Sequence, residues 1–157
     1  MIEYINKRFV WKPTTTQGMG RVDAEIELIN GQDAEQSRNN IIGEDEIKRI
    51  RICAQVDTGS MYLCINENIQ QVLKLPFIRR RRIQLADGQA LVCDFVGPVE
   101  IRFKNRIVDC AAAVVLPRDA GPLLGLLPLE EMDVIIDPKR NELIVNPGHP
   151  DYALHRI

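Results

Sequence analysis

Asp57-Thr58-Gly59-Ser60 brings a carboxylate, two hydroxyls and a glycine together in four consecutive residues. The run before it, Arg49-Ile50-Arg51-Ile52-Cys53-Ala54-Gln55-Val56, alternates polar and apolar residues, which is the period of a half-buried strand. Such a strand delivers the Asp57 carboxylate to a tight turn. Thr58 has a short hydroxyl that can bond backbone. Gly59 lets the chain pass close beneath the carboxylate, with an amide free to donate to it. A carboxylate held this way can take and give protons, provided a second group completes the chemistry. Alone, the same residue reads as a solvated turn Asp bonded to its own backbone.

The elements that must hold this turn follow from pattern and punctuation. Residues 1–18 read as an N-terminal arm, with a short strand at Phe9-Val10-Trp11 and a turn-prone, extended stretch from Lys12 to Gly18. Trp11 and Tyr4 are either partial core or interface anchors. Arg21 to Ile29 alternates cleanly and predicts a strand with one wet face. Asn30-Gly31 starts a turn, and Gln32 to Asn40 reads as the loop of an enlarged hairpin. Met61-Tyr62-Leu63-Cys64-Ile65 predicts a second short strand. Asn66 then caps a helix over Glu67 to Lys74 that places Ile69, Val72 and Leu73 on one face and ends at Pro76.

Arg79 to Arg82 reads as a solvated connector offset by nearby acids; a basic patch or a protease-sensitive site is the competing reading. Asp87-Gly88 between two alternating runs, Ile83 onward and up to Phe95, signals a hairpin. Gly97 to Phe103 and Arg106 to Leu116 predict two more strands around a Lys104-Asn105 turn. Gly121-Pro122-Leu123-Leu124-Gly125 precedes a short helix from Leu126 to Met132, with Pro128 in its first turn. Val134-Ile135-Ile136 and Glu142 to Val145 form a last hairpin, and residues 147–157 an irregular tail in which His149 and His155 are solvated. The sum is an all-β domain over residues 19–146, with two short helices and no internal repeat.

Bulk properties narrow the function classes. The chain has 157 residues, 45% of them hydrophobic and 27% charged, which suffices for one domain with a core and argues against disorder. A net charge of −2 makes no electrostatic case for nucleic acid or membrane binding. No apolar run approaches the roughly 20 residues of a membrane span, and the start lacks the apolar stretch of a signal peptide, so a cytoplasmic protein is expected. Cys53, Cys64, Cys93 and Cys110 are scattered without CxxC spacing and far from either histidine. They read as reduced thiols rather than a zinc site. No metal and no cofactor is expected.

Order and spacing now matter more than any one motif. An apolar strand leads into Asp57-Thr58-Gly59-Ser60; about 30 residues later comes the hairpin of Leu85, Ala86, Asp87 and Gly88; then an apolar strand runs to Leu123-Leu124-Gly125, which opens a helix. In these pieces the chain resembles the retropepsin-like aspartic proteases, and especially their bacterial soluble, single-domain members, over roughly Met19 to Asn146. The resemblance implies an acid-protease half-barrel with one or two short helices, working as a two-fold homodimer.

It also implies roles. Asp57 is the acid–base carboxylate. The Thr58 hydroxyl bonds across to the partner's turn, Gly59 donates its amide to the carboxylate, and Ser60 adds a hydroxyl bond to the outer carboxylate oxygen. Leu85 to Gly88 form a flap over an extended peptide, with Asp87 serving the turn rather than repelling acidic side chains. Leu123, Leu124 and Gly125 pack behind the site. This chain holds one Asp-Thr-Gly, so the second carboxylate comes from a second copy. The expected activity is aspartic endopeptidase. The alternatives are a catalytically inactive dimerisation or peptide-binding module that keeps the fold, and a β-barrel ligand binder, which leaves the Asp57 turn unexplained.

Overall fold

The computed structural model describes residues 1–12, 20–118 and 120–157; most of the stretch expected to be extended, Pro13 to Gly18, lies outside them. The described chain is mostly β, 48% strand against 17% helix. The strand before Asp57, β4 (Arg49–Val56), buries Ile50, Ile52, Ala54 and Val56 and turns the intervening residues outward, as the alternation requires. Antiparallel to it lies β3 (Asp23–Asn30), from Asp23↔Gln55 to Ile29↔Arg49.

Beyond β3 come β7 (Ala90–Phe103) and its antiparallel partner β8 (Arg106–Leu116). Strand β5 (Leu63–Asn66) runs parallel to β8, starting at Leu63↔Ala113. The two-residue β9 (Leu123–Leu124) lies antiparallel to β5 and parallel to β4. The pairing path β4-β3-β7-β8-β5-β9 therefore returns to β4 and closes on itself. Its interior is filled by Leu28, Ile50, Ile52, Leu63, Ile65 and Ile101, each essentially inaccessible to water.

Several expectations need correction. There are three α-helices among the described residues, not one or two. The extra one, α1 (Gly31–Arg38), occupies the segment expected to be a loop. It has no apolar stripe, so periodicity gave no signal. It is held by polar groups instead: the buried Asn30 side chain accepts from Asp33 N–H at 3.0 Å and donates to the Leu73 carbonyl at 2.9 Å. Asp33 takes the Lys48 N–H at 3.0 Å and its ammonium at 2.8 Å.

The Arg79 to Arg82 run is not a connector but the middle of β6 (Phe77–Gln84), paired with β7 and exposed. Gly97 to Phe103 does not form a separate strand; β7 runs on through the Asp87-Gly88 hairpin's second arm, with a register shift between Val96 and Val99. Strand β5 starts two residues later than expected, because Met61 and Tyr62 belong to the turn.

The arm before residue 13 is a hairpin, β1 (Ile2–Ile5) with β2 (Arg8–Trp11), and β2 adds in parallel to β4. Trp11 is buried core, whereas Tyr4 is exposed, its ring tilted against that of Phe9 with centres 5.0 Å apart. The helix capped by Asn66, α2 (Glu67–Leu73), forms as expected, with Asn66 accepting from Ile69 N–H at 2.8 Å. It ends at Lys74, whose φ of +49° is left-handed, two residues before Pro76.

After β9 come α3 (Leu126–Met132) and a separate two-stranded sheet of β10 (Val134–Asp137) and β11 (Glu142–Val145). The tail beyond it is irregular but tied down. Asp133 accepts from His149 Nδ1 at 2.7 Å, from the Asn146 side chain at 3.0 Å and from Leu154 N–H at 3.0 Å. The Leu154 bond, foremost, and these partners lower its carboxyl to about 2. His155 bonds the Glu131 carbonyl at 2.8 Å. The histidines are thus engaged, not simply solvated. Among the described residues no helix is long and apolar enough to cross a membrane.

Candidate active site around the Asp57 turn

The backbone at the end of β4 is tied on both sides before the chain turns. Val56 N–H donates to the Val22 carbonyl at 2.8 Å, Gln55 N–H to Pro122 at 3.0 Å and Asp57 N–H to Leu124 at 3.0 Å. Asp57 therefore leaves a fixed strand end, half-buried, with Thr58 and Gly59 exposed beyond it. The turn closes through Ser60 N–H to the Asp57 carbonyl at 3.1 Å. Gly59 N–H donates to Asp57 Oδ1 at 2.9 Å, as anticipated. A Cβ on Gly59 would stand 3.2 Å from that same oxygen, so glycine here serves closeness to the carboxylate.

Ser60 departs from expectation. Its hydroxyl turns away from Asp57, donating to the Tyr62 carbonyl at 3.3 Å and lying 3.6 Å from Cys64 Sγ. The Thr58 hydroxyl has no partner among the described residues. Cys64 itself is a protonated, buried thiol: burial pushes it up foremost, and the Ser60 hydrogen bond only partly counters this.

Leu124 is buried behind the turn, and Gly125 packs against it so closely that a Cβ would meet Ser60 O at 2.7 Å, Tyr62 N at 2.8 Å and Tyr62 O closer still. Helix α3 starts here without a side-chain cap. The loop supplies the missing acceptors: Leu126 N–H donates to Ser60 O at 2.7 Å and Leu127 N–H to Met61 O at 3.0 Å. Pro128, third in the helix, has no amide to satisfy. The helix start and the Asp57 loop thus hold each other.

The hairpin between β6 and β7 turns at Leu85 to Gln89. Leu85 N–H bonds Gln89 O at 2.8 Å, Gly88 N–H bonds Leu85 O at 2.9 Å, and Gly88 takes φ +87°. Asp87 Oδ1 accepts from Gln89 N–H at 2.9 Å, so Asp87 serves the turn. The hairpin's stem stands on a small apolar cluster of Cys64, Cys93, Phe95 and Val114, against which Tyr62, Ile83, Leu91 and Leu123 pack. Cys64 and Leu123 are paired neighbours beside the turn.

The structure thus brings together the Asp57 turn, Leu123 to Gly125 and the hairpin's root. It shows no bond between the hairpin tip, Leu85 to Gly88, and Asp57 among the described residues. Nor is Asp57 hydrogen-bonded to, or paired with, another acidic side chain there.

Sequence reasoning missed Tyr62 and Phe95, which meet edge-on at 5.1 Å, and Arg81, whose guanidinium lies 4.6 Å from the Phe95 ring centre. Only the alternation of β6 carries a signal for Arg81, because it puts Arg79, Arg81 and Ile83 on one face. Among the described residues no three His, Cys, Asp or Glu side chains gather into a metal-binding group. No protein-family model matches this chain, and no curated protein matches it.

Proposed function

We propose that this chain is one half of an aspartic endopeptidase, whose active site forms when the Asp57 turns of two copies meet on a two-fold axis. The observation that carries the reading is the anchoring of the Asp57 turn. A carboxylate at a strand end takes the Gly59 amide and is backed by Leu124 and Gly125 across a parallel strand pair. This is a rigid mount for a proton-transfer group, with the carboxylate half in water.

In the proposed reaction one Asp57 is ionised and its copy protonated, since two close carboxylates do not both ionise readily. The ionised one takes a proton from a water molecule, whose oxygen attacks the scissile carbonyl carbon. The protonated one donates to the carbonyl oxygen. Collapse of the tetrahedral intermediate breaks the C–N bond as a proton passes from the dyad to the departing amine. An extended peptide would lie under the Leu85 to Gly88 hairpin, which limits water around it. The exposed Thr58 hydroxyl is free to bond the partner's turn.

A second reading is a peptide-binding module without hydrolysis. It is favoured by the Ser60 hydroxyl facing away from Asp57 and by a groove of about 940 Å³ that Asp57 does not line. Incubation of the chain and of Asp57→Asn with a mixture of unstructured peptides between about pH 4 and pH 7 separates the two. New peptide termini with the first protein and none with the second are expected. Equal cleavage by both, or none by either at any protein concentration, removes the protease reading.

A further inference from the structure

Beyond Phe95 the arm made by β6 and β7 pairs only with itself. The ladder of β7 with β8 ends at Phe95↔Val114, whereas the ladder of β6 with β7 runs on from Arg79↔Phe95 to Gln84↔Ala90. Strand β6 has no second neighbour among the described residues. Phe95 is thus the root at which the arm leaves the closed sheet. A two-stranded ribbon is only marginally stable by itself, so the contacts at its root set how it stands.

At that root two side chains of the arm meet one side chain of the Asp57 loop. The Arg81 guanidinium lies over the Phe95 ring, one diagonal step across the ladder from its direct partner Cys93. Tyr62, two residues after Ser60, meets the same ring edge-on, the two planes 75° apart. Its hydroxyl stands 3.5 Å from Arg81 Nη1, the outer limit of a hydrogen bond. Arg80, on the opposite face of β6, is paired with Asp94 at 3.5 Å, but Arg81 has no carboxylate partner among the described residues. Its cation is left to the aromatic pair.

The backbone of Tyr62 belongs to the frame of the Asp57 turn. Its carbonyl accepts from the Ser60 hydroxyl, and its N and O crowd the place where Gly125 would carry a Cβ. Ser60 N–H closes the turn on the Asp57 carbonyl, while Ser60 O and Met61 O accept the first amides of α3, Leu126 and Leu127. One residue thus has its ring in the root of the arm and its backbone in the loop that carries Asp57. The tip of the arm, Leu85 to Gly88, makes no hydrogen bond to the body among the described residues.

We propose that Arg81 is a positioning residue: through Phe95 and Tyr62 it clamps the β6–β7 arm to the Asp57 loop, so that the arm and the segment from Ser60 to Tyr62 open and close together. The clamp is a property of the fold. Its consequence for catalysis rests on the protease reading, in which the arm is the flap over an extended peptide. A flap clamped at its root keeps its height above the peptide without a bond at its tip. Loss of the clamp loosens the hold on substrate first, because the Asp57 carboxylate is itself fixed by the Gly59 amide and its backbone by Leu124.

The test is amide exchange of the full chain, followed at the ladder amides of β6 in the arm and at Leu126 and Leu127, whose amides the Asp57 loop accepts. Arg81→Met keeps an unbranched stem and removes the cation. It is expected to quicken exchange about threefold or more at both sets, with exchange at Ile101 in the core unchanged. Arg81→Lys is expected to restore most of the protection, and Arg82→Met, on the opposite face of β6, to leave both sets as they are. Combining Arg81→Met with Tyr62→Leu is expected to add little to Tyr62→Leu alone, as a shared contact requires. In the peptide-cleavage assay Arg81→Met is expected to raise KM about threefold or more with kcat within about twofold. The proposal is overturned by exchange that is unchanged or quickens in one set alone, by Arg81→Lys behaving as Arg81→Met, or by a fall in kcat at unchanged KM. The exchange readings need no cleavage and are repeated in Asp57→Asn, so the clamp can fail while the protease reading stands, and the reverse.

Discussion

At the scale of single residues, two glycines near the site do different things, and neither acts through left-handed backbone. Gly59 keeps space beside the Asp57 carboxylate; Gly125 keeps space beneath the loop that carries it. A methyl on Gly125 meets backbone atoms, which are not free to swing aside. Gly125→Ala is therefore expected to lower stability by about 2 kcal/mol or more, as overpacking does. Gly121 has nothing within 4 Å of where a Cβ would stand, so Gly121→Ala is expected to change stability by less than about 0.5 kcal/mol. Denaturant unfolding of the two variants compares them directly, and equal midpoints would contradict the packing account. The type of each residue in the turn was legible from sequence, as was the service of Asp87 to its own turn. The direction of the Ser60 hydroxyl was not, because it depends on where the Tyr62 carbonyl and Cys64 thiol come to rest.

At the scale of elements, periodicity found β3, β4 and α2 because each buries one face against the core. It failed on α1, whose stability comes from Asn30 and Asp33 reaching backbone groups distant in the chain. It failed also on the tail, which is held by polar contacts rather than by a periodic apolar face: Asp133 takes His149 and Leu154, Asn105 donates to the Pro150 carbonyl, the buried Arg106 donates to the His149 carbonyl, and His155 bonds the Glu131 carbonyl. Asp133 titrates near 2 in the folded protein, below its ordinary value of 3.8. The sign follows: Asp133's share of the tail's attachment, at His149 and Leu154, is complete above about pH 4 and is lost as the pH falls toward 2. Amide exchange at Leu154 should therefore quicken over that interval before exchange at core residues such as Ile101 does. In Asp133→Asn, Leu154 is expected to exchange quickly at every pH. Protection of Leu154 that tracks the core throughout would show that the Asp133 cluster does not hold the tail.

At the scale of the whole molecule, the proposed reaction makes activity a property of pairs. Specific activity per chain is then expected to fall on dilution, and adding excess Asp57→Asn to the wild-type chain is expected to suppress it by forming mixed pairs. Activity per chain that stays constant through dilution to sedimenting monomer would end the two-copy reading. The amino-acid sequence by itself determined the strand that ends at Asp57, the glycine beneath the carboxylate, the Asp87-Gly88 turn and the order of turn, hairpin and Leu-Leu-Gly. These are local properties, written in alternation and in residues with restricted conformations. Only the tertiary structure decided that β9 lies between β4 and β5 and that Arg81 sits on Phe95 beside Tyr62. Those facts arise from strand pairing between residues far apart in the chain, and a period of two along one strand carries no information about which strand lies beside it.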